Sequence, residues 1–274
     1  MSESERTQIL LVNDDGIDSP GLWEAAAALY RIGYVTVAAP REQQSGAGRS
    51  LPVISDGRIE RTRMRIGGDE WEVYAVGGSP AQTVLHAVFE ILPKRPDLVV
   101  SGINYGENLG TSITASGTVG AAMEAASFGI PALAVSLELV NIDQYLEKSH
   151  DIDFSTAAHF TRLFSEVLLH HNLPPDVHLL KVDVPHDASP DTPWRITRLA
   201  AHRYYSAVAK PRRSWDEPGA IFGQREVEAE TLEKDSDIYV MAVERQVSVT
   251  PLSLDMTSRV DFDKLCEVIR CQSG

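Results

Sequence analysis

At 274 residues, 43% of them apolar, the chain is long enough for a sizeable buried core and too apolar for disorder. Its 39 acidic residues against 25 basic ones give a net charge of −14, which opposes binding to a nucleic-acid polymer or an anionic membrane surface. A small anionic substrate is still open to it, because a bound metal reverses the sign of a site locally. The two cysteines, Cys266 and Cys271, sit in no metal-type spacing, and a disulfide framework is excluded. Met1 to Arg6 is polar, and the long apolar stretch from Gly117 to Val140 is broken by Glu124, Gly129, Pro131 and Glu138. These features read as a reduced, cytoplasmic protein without a membrane span.

Ile9 to Val12 is a short β-favouring apolar run that leads into Asn13-Asp14-Asp15-Gly16. Ser19 and Pro20 then signal the start of a helix, with Ser19 as N-cap and Pro20 at the first helical position. Two adjacent carboxylates at the carboxyl end of a strand suit Mg²⁺ or Mn²⁺, although the same residues are ordinary turn chemistry. Val35 to Pro40 is a second strand, followed by the small-residue loop Arg41–Ser50. That loop leaves a strand end and can fold over the same crevice. Within it a Ser45 hydroxyl could complete a metal shell and Arg49 could meet a phosphate oxygen. Arg61, Arg63 and Arg65 alternate along a strand and belong on its solvated face. Ser79-Pro80 opens a helix over Ala81–Leu92.

Pro96 to Ser101 is a further buried strand, opening into the glycine-punctuated loop Gly102–Gly110. Ser116-Gly117-Thr118 begins a helix whose free N–H groups and hydroxyls make an anion site as well as a cap. Ala132–Ser136, a helix over 153–171 and a strand over Val177–Val184 complete a strand–helix alternation. The pattern predicts a doubly wound, mainly parallel α/β sheet over residues 1–185. Beyond Pro185 the pattern changes. Arg195–His202, Ile221–Glu228 and Ile238–Thr250 read as strands, and Asp261–Ile269 as a terminal helix. Residues 186–274 thus form a β-rich antiparallel extension suited to self-association.

Asp14-Asp15, Ser45 and Asn104 each follow a strand and all supply hard oxygen. The stretches Val12–Ile17, Gln44-Ser45-Gly46, Gly78-Ser79-Pro80, Ser101–Gly110, Ser116–Ala122 and Val247–Leu252 together resemble the survival protein E (SurE) family of metal-dependent nucleotidases. The resemblance covers nearly the whole chain. It implies a Rossmann-like phosphomonoesterase that releases phosphate from 5′- and 3′-nucleoside monophosphates. It also implies one divalent ion per subunit, Mg²⁺ or Mn²⁺, held by Asp14, Asp15, Ser45 and Asn104. An extension exchanged between the subunits of a homodimer or homotetramer belongs to the same picture.

On this reading Asp14, Asp15, Asn104 and Ser116 are the catalytic residues. Substrate contacts fall to Ser45, Gly46, Arg49, Asn108, Gly117 and Thr118. Asp14 either takes the proton of the attacking water or only holds the ion, and the residues alone do not separate these roles. The chain departs from the family pattern after Ser45, where relatives run in serines. It also departs before Ser116, where an Asp and a Tyr are missing, and near Gly219–Gly223, where an aromatic-rich strand is missing. The basic and aromatic cluster from His202 to Arg213 reads as a surface or interface loop. An aspartyl-phosphate phosphatase would need a second acid two positions after the first, and position 16 is glycine. A non-catalytic nucleotide-binding module would not need the carboxylate cluster, and a self-associating scaffold would leave the three strand-end loops unexplained.

Overall fold

Strand Gln8–Val12 (β1) is buried along its whole length, and its alternate side chains serve two cores. Ile9 and Leu11 pack with Leu22, Leu29, Phe160 and Phe164 on one face of the sheet. Leu10 and Val12 pack with Val84, Val119 and Ala122 on the other. A strand covered on both faces reads as a continuous apolar run, which is why Ile-Leu-Leu-Val shows no polar alternation. The computed structural model describes residues 7–66, 68–140, 152–219, 221–225 and 227–270. The polar amino terminus and Cys271 lie outside the described residues.

After β1 come helix α1 (Pro20–Leu29), strand β2 (Tyr34–Pro40) and the hairpin of β3 (Ile59–Ile66) with β4 (Asp69–Val76). Helix α2 (Pro80–His86), strand β5 (Leu98–Tyr105), helix α3 (Gly117–Ser127), strand β6 (Ala132–Leu137), helix α4 (Ser155–His170) and strand β7 (Leu179–Val184) follow. The remainder holds β8 (Trp194–Ile196), β9 (Tyr205–Ala209), β10 (Ile221–Arg225), β11 (Val247–Leu252) and helix α5 (Phe262–Arg270). The main sheet has the order β3-β4-β2-β1-β5-β6-β7-β11-β8. Strands β4, β2, β1, β5, β6 and β7 run parallel, and β11 returns antiparallel to β7. The chain leaves β1 towards β2 on one side and comes back to β5 on the other. That reversal opens a crevice at the carboxyl ends of β1 and β5, where ligands of open α/β sheets bind.

The expected punctuation is largely in place. Ser79 forms a complete capping box with Gln82, Pro20 stands at the first position of α1, and Gly129 ends α3 at φ 67°. Arg61 and Arg63 lie exposed on β3, within 3.8 and 3.6 Å of Glu72 and Glu70 on β4.

Several elements differ from expectation. Ser19 occupies the N-cap position, but its hydroxyl makes no capping bond and is buried without a partner among the described residues. The helix expected through Leu92 is α-helical only to His86 and closes as a wide turn over Ala87–Ile91. Strand β5 does not stop at Ser101. It continues to Tyr105 with a register shift against β6 between Ser101 and Asn104. The strand expected over Arg195–His202 ends at Ile196, with an isolated bridge beyond it between Arg198 and Ser236. Ile238–Thr250 is not one strand: Ser236 caps a helical turn over Tyr239–Val243, and pairing begins at Val247. A six-residue apolar run carries no periodicity that separates a buried turn of helix from a strand. Strand β11 and the short β8 extend the main sheet, while β9 and β10 pair as a separate antiparallel hairpin. No helix among the described residues is long and apolar enough to cross a membrane.

Candidate active site

The turn after β1 is shaped by Asn13, which is fully buried. Its Nδ2 donates to the Gly16 carbonyl at 3.0 Å, and its Oδ1 accepts the Gly16 N–H at 3.2 Å. This is a side chain closing a turn in place of backbone. Gly16 takes φ of 97°, a left-handed conformation that glycine adopts at little cost. The turn sends the two neighbouring carboxylates to different partners.

Asp14 is buried against the start of α3. Thr118 Oγ1 donates to its Oδ1, and the backbone N–H groups of Gly117 and Thr118 also act on the carboxylate. Burial raises the carboxyl above its ordinary pKa, against the downward pull of these hydrogen bonds. The anion that meets the positive end of α3 within the chain is therefore Asp14 itself. Contact is so close that a Cβ on Gly117 would lie 2.7 Å from Asp14 Oδ2. Asp15 points the other way. Its Oδ2 accepts the Tyr105 N–H at 3.0 Å, and Gln43 Nε2 reaches its Oδ1 at 3.3 Å. Burial, with the Asp15 charge beside it, pushes the Tyr105 phenol up to about 12.

Asn104 sits where β5 shifts register, next to the residue that holds Asp15. Its Nδ2 donates to the Gly106 carbonyl at 2.6 Å and to the Tyr105 carbonyl at 3.3 Å. Its Oδ1 accepts no hydrogen bond among the described residues. Loop Arg41–Ser50 folds over the same crevice, with the Gln44 N–H on the Asp14 carbonyl at 2.7 Å and the Gly48 N–H on the Ala115 carbonyl at 3.0 Å. A Cβ at Gly120 would lie 2.3 Å from the Gly48 carbonyl oxygen, so the small residues of α3 are what allow the loop to seat. Ser45 and Gly46 stay exposed at the rim. Ser116 caps α3 by accepting the Val119 N–H at 3.1 Å.

Three of the expected substrate contacts are engaged within the protein, Thr118 with Asp14 as above. Arg49 Nε pairs with the buried Glu124 at 2.6 Å and fastens the loop to α3. Asn108 Nδ2 donates to Ser136 Oγ at 2.8 Å. The sequence reading assigned Thr118 only to substrate and missed Gln43 altogether, although both bond directly to the paired carboxylates. A hydroxyl two residues into a helix and an amide in a polar loop carry no local sign of such a partner.

Hard oxygen donors are the right chemistry for a small divalent cation. Asp14 is a buried carboxylate held by hydroxyl and N–H groups, Asp15 follows it in the turn, and Asn104 presents an amide oxygen with no donor among the described residues. The set fits such an ion. A second group, Glu138, His186 and Asp187, also clusters ligand atoms within 4.8 Å of one another. There the positive charge is already supplied by Arg245, at 2.6 Å from Glu138 and 2.5 Å from Asp187. Burial works to raise Glu138, but hydrogen bonds from Arg245 and His186 prevail and hold it below its ordinary value.

Residues 9–206 match the family model described as Survival protein SurE. The chain belongs to the SurE family. The matched span contains every residue of the crevice named above. A curated relative from Thermococcus gammatolerans, named 5′-nucleotidase SurE, is 43% identical over 265 residues and covers 96% of each chain. One of the same name from Archaeoglobus fulgidus is 41% identical over 260 residues, covering 93% of this chain and 95% of the relative. The crystal structure of the SurE protein from Aquifex aeolicus matches with a TM-score of 0.73 at 32% identity, over 97% of this chain and 100% of that one.

Proposed function

We propose that this SurE-family chain is a divalent-metal-dependent nucleotidase that hydrolyses 5′- and 3′-nucleoside monophosphates to nucleoside and phosphate. One observation carries the reading. Asp14 and Asp15 follow β1 and Asn104 lies near the end of its neighbour β5, with Asp15 bonded to the Tyr105 N–H and Asp14 to the start of α3. The name 5′-nucleotidase borne by relatives that cover nearly the whole chain supports the same substrate class.

Asp14, Asp15, the Asn104 Oδ1 and the Ser45 hydroxyl are the groups that would hold one Mg²⁺ or Mn²⁺ per subunit. When bound, such an ion supplies Lewis acidity at the phosphoryl oxygen and lowers the pKa of a water. Hydrolysis forms a bond from water oxygen to phosphorus, breaks the phosphorus–ester oxygen bond and returns a proton to the leaving oxygen. Asp14 either takes the proton of the attacking water or only holds the ion. The Ser116 hydroxyl accepts from Val119 and donates to nothing among the described residues, so its proton is available to a phosphoryl oxygen. The N–H groups of Gly117 and Thr118, now directed at Asp14, stand next to that position and add electrostatic stabilisation. Gly46 leaves the rim open for substrate entry, with nothing within 4 Å of a Cβ placed there.

The reading extends to assembly and location. The exchanged part of a homodimer or homotetramer lies within residues 186–274, with β8 and β11 kept in the chain's own main sheet. Helix α5 supports this, since Phe262, Leu265, Val268 and Ile269 are all exposed on it. The protein works in the cytoplasm.

Phosphate release from a panel of nucleoside monophosphates with Mg²⁺, Mn²⁺ or EDTA tests the reading on the wild type and on Asp14→Asn. Metal-dependent turnover that the folded variant lacks is the expected result. Nucleotide binding without release under any metal would replace the enzyme by a binding module.

A further inference from the structure

The middle of β7 breaks the rule that built the sheet. Leu179-Leu180-Lys181-Val182-Asp183-Val184 is buried at every position, yet two of its residues are charged and neither exposes any side-chain surface. Lys181 Nζ donates to Asp183, and to Asp237 Oδ2 at 3.2 Å from the segment before β11. Asp237 is likewise fully buried, so two carboxylates and one ammonium lie together away from water. Such a cluster is a poor source of stability, because well-packed apolar residues do as well without the desolvation cost. What it holds is therefore the informative part.

Besides Lys181, both carboxylates accept backbone N–H groups. Asp183 Oδ1 accepts the Asn108 N–H at 2.7 Å, and Asp237 Oδ2 accepts the Gly110 N–H at 3.0 Å. Asp237 Oδ1 takes the N–H groups of Ala200 and Ile238, each at 2.9 Å. The segment pinned in this way, Gly106–Gly110, is the one that follows Asn104. Its Gly106 carbonyl is the acceptor that orients the Asn104 amide at 2.6 Å, and its Gly106 N–H is fixed on the Leu137 carbonyl at 2.9 Å.

We propose that Lys181, Asp183 and Asp237 form a buried clamp whose task is to position loop Gly106–Gly110, and through it the metal-facing oxygen of Asn104. These are positioning residues, since their hydrogen bonds run to one another and to backbone N–H groups. The assignment rests on the metal-dependent reading above, and it adds a dependence of ion affinity on residues of β7 and of the carboxyl-terminal segment.

The test uses the full chain. Asp183→Ala removes the acceptor of the Asn108 N–H and leaves Lys181 and Asp237 as a balanced pair. Asp183→Asn keeps an amide oxygen that can accept the same N–H. Mn²⁺ affinity is read from the electron paramagnetic resonance signal of the free ion, alongside kcat, KM and the thermal midpoint. Groups that orient metal ligands typically carry about 10–100-fold in affinity or activity, and that loss is expected for Asp183→Ala. Most of it should return in Asp183→Asn. A folded Asp183→Ala that melts lower but keeps wild-type Mn²⁺ affinity and kcat/KM would overturn the clamp, because a purely structural role moves only the melt. Should that variant not fold, residue-resolved hydrogen exchange on the wild type decides. Slow exchange at Asn108 and Gly110 is expected, and free exchange at both overturns the proposal. A wild type that binds no Mn²⁺ would instead remove the metal reading, with the clamp still judged by exchange.

Discussion

Replacing Gly117 by Ala should separate catalysis from stability. The new Cβ would lie 2.7 Å from both Asp14 Cβ and Asp14 Oδ2, and 3.0 Å from Asp14 Cγ. Relieving that contact takes a shift of roughly 0.8 Å or more, since non-bonded carbon atoms sit about 3.5–4 Å apart. Asp14 has nowhere to retreat, being buried and bonded to Thr118 with the Gln44 N–H on its carbonyl. Overpacking of this kind costs about 1–3 kcal/mol. Alanine in place of glycine in a helix returns up to about 1 kcal/mol. The net loss is then about 0–3 kcal/mol, and the thermal midpoint should fall by no more than about 12 °C at roughly 2–4 °C per kcal/mol. Misplacing a reacting group by about 1 Å can lower the rate about 100-fold. The expected result is a folded variant with a thermal shift inside that bound, kcat reduced by one to two orders of magnitude and weakened Mn²⁺ binding. Phosphate-release kinetics, calorimetry of Mn²⁺ binding and a thermal melt on one preparation measure all three. Wild-type kcat and Mn²⁺ affinity in a folded Gly117→Ala would refute the claim that this contact sets Asp14.

Other substitutions probe the surrounding contacts. Thr118→Val removes a hydrogen bond that lowers the Asp14 pKa, so the carboxyl rises further and Mn²⁺ binding should saturate only at higher pH than in the wild type; calorimetry across pH 5 to 8 reads the shift. The hydroxyl deleted there also served a buried carboxylate, so a stability loss of about 1–3 kcal/mol should accompany it in urea. Glu138 is held below its ordinary value near 4.5 by Arg245 and His186, although burial opposes them. Its contribution is therefore complete above that value and is lost as pH falls through the lower folded one. The unfolding free energy of Glu138→Gln, measured in urea at a series of pH values, should fall less steeply below about pH 4.5. Arg225 ties the β9–β10 hairpin to the buried Glu107 at 3.0 Å and to Glu138 at 3.2 Å. Arg225→Met should lower the opening free energy of that hairpin by about 1.5 kcal/mol and speed tryptic cleavage after Arg212 and Arg213 about tenfold. An unchanged digestion rate would show that the tether is not what holds it.

Much of this molecule is written locally. Ile9 to Val12 is an unbroken apolar run, and it forms a strand buried on both faces. Ser79-Pro80, Ser116 and Gly129 punctuate helices where their capping chemistry says they should. The strand-end loops fall at the carboxyl ends of parallel strands because the alternation of strands and helices requires it. Candidate residues at 14, 15 and 104 were therefore legible before any coordinates. What each of them touches was not. Thr118 bonds to Asp14 across 104 positions of sequence, and Tyr105 bonds to Asp15 across 90. Asp237 reaches the loop after Asn104 across 127. Local pattern carries no information on such pairs, because the strand order brings them together only after β1, β5 and β7 share one sheet. For the same reason the strand over Val177–Val184 gives no sign of what Lys181 and Asp183 bind, and Ile238–Val243 reads as more strand. Burial against Leu109 and Tyr204 and a cap from Ser236 decide that second segment, and both depend on neighbours the chain meets only when folded.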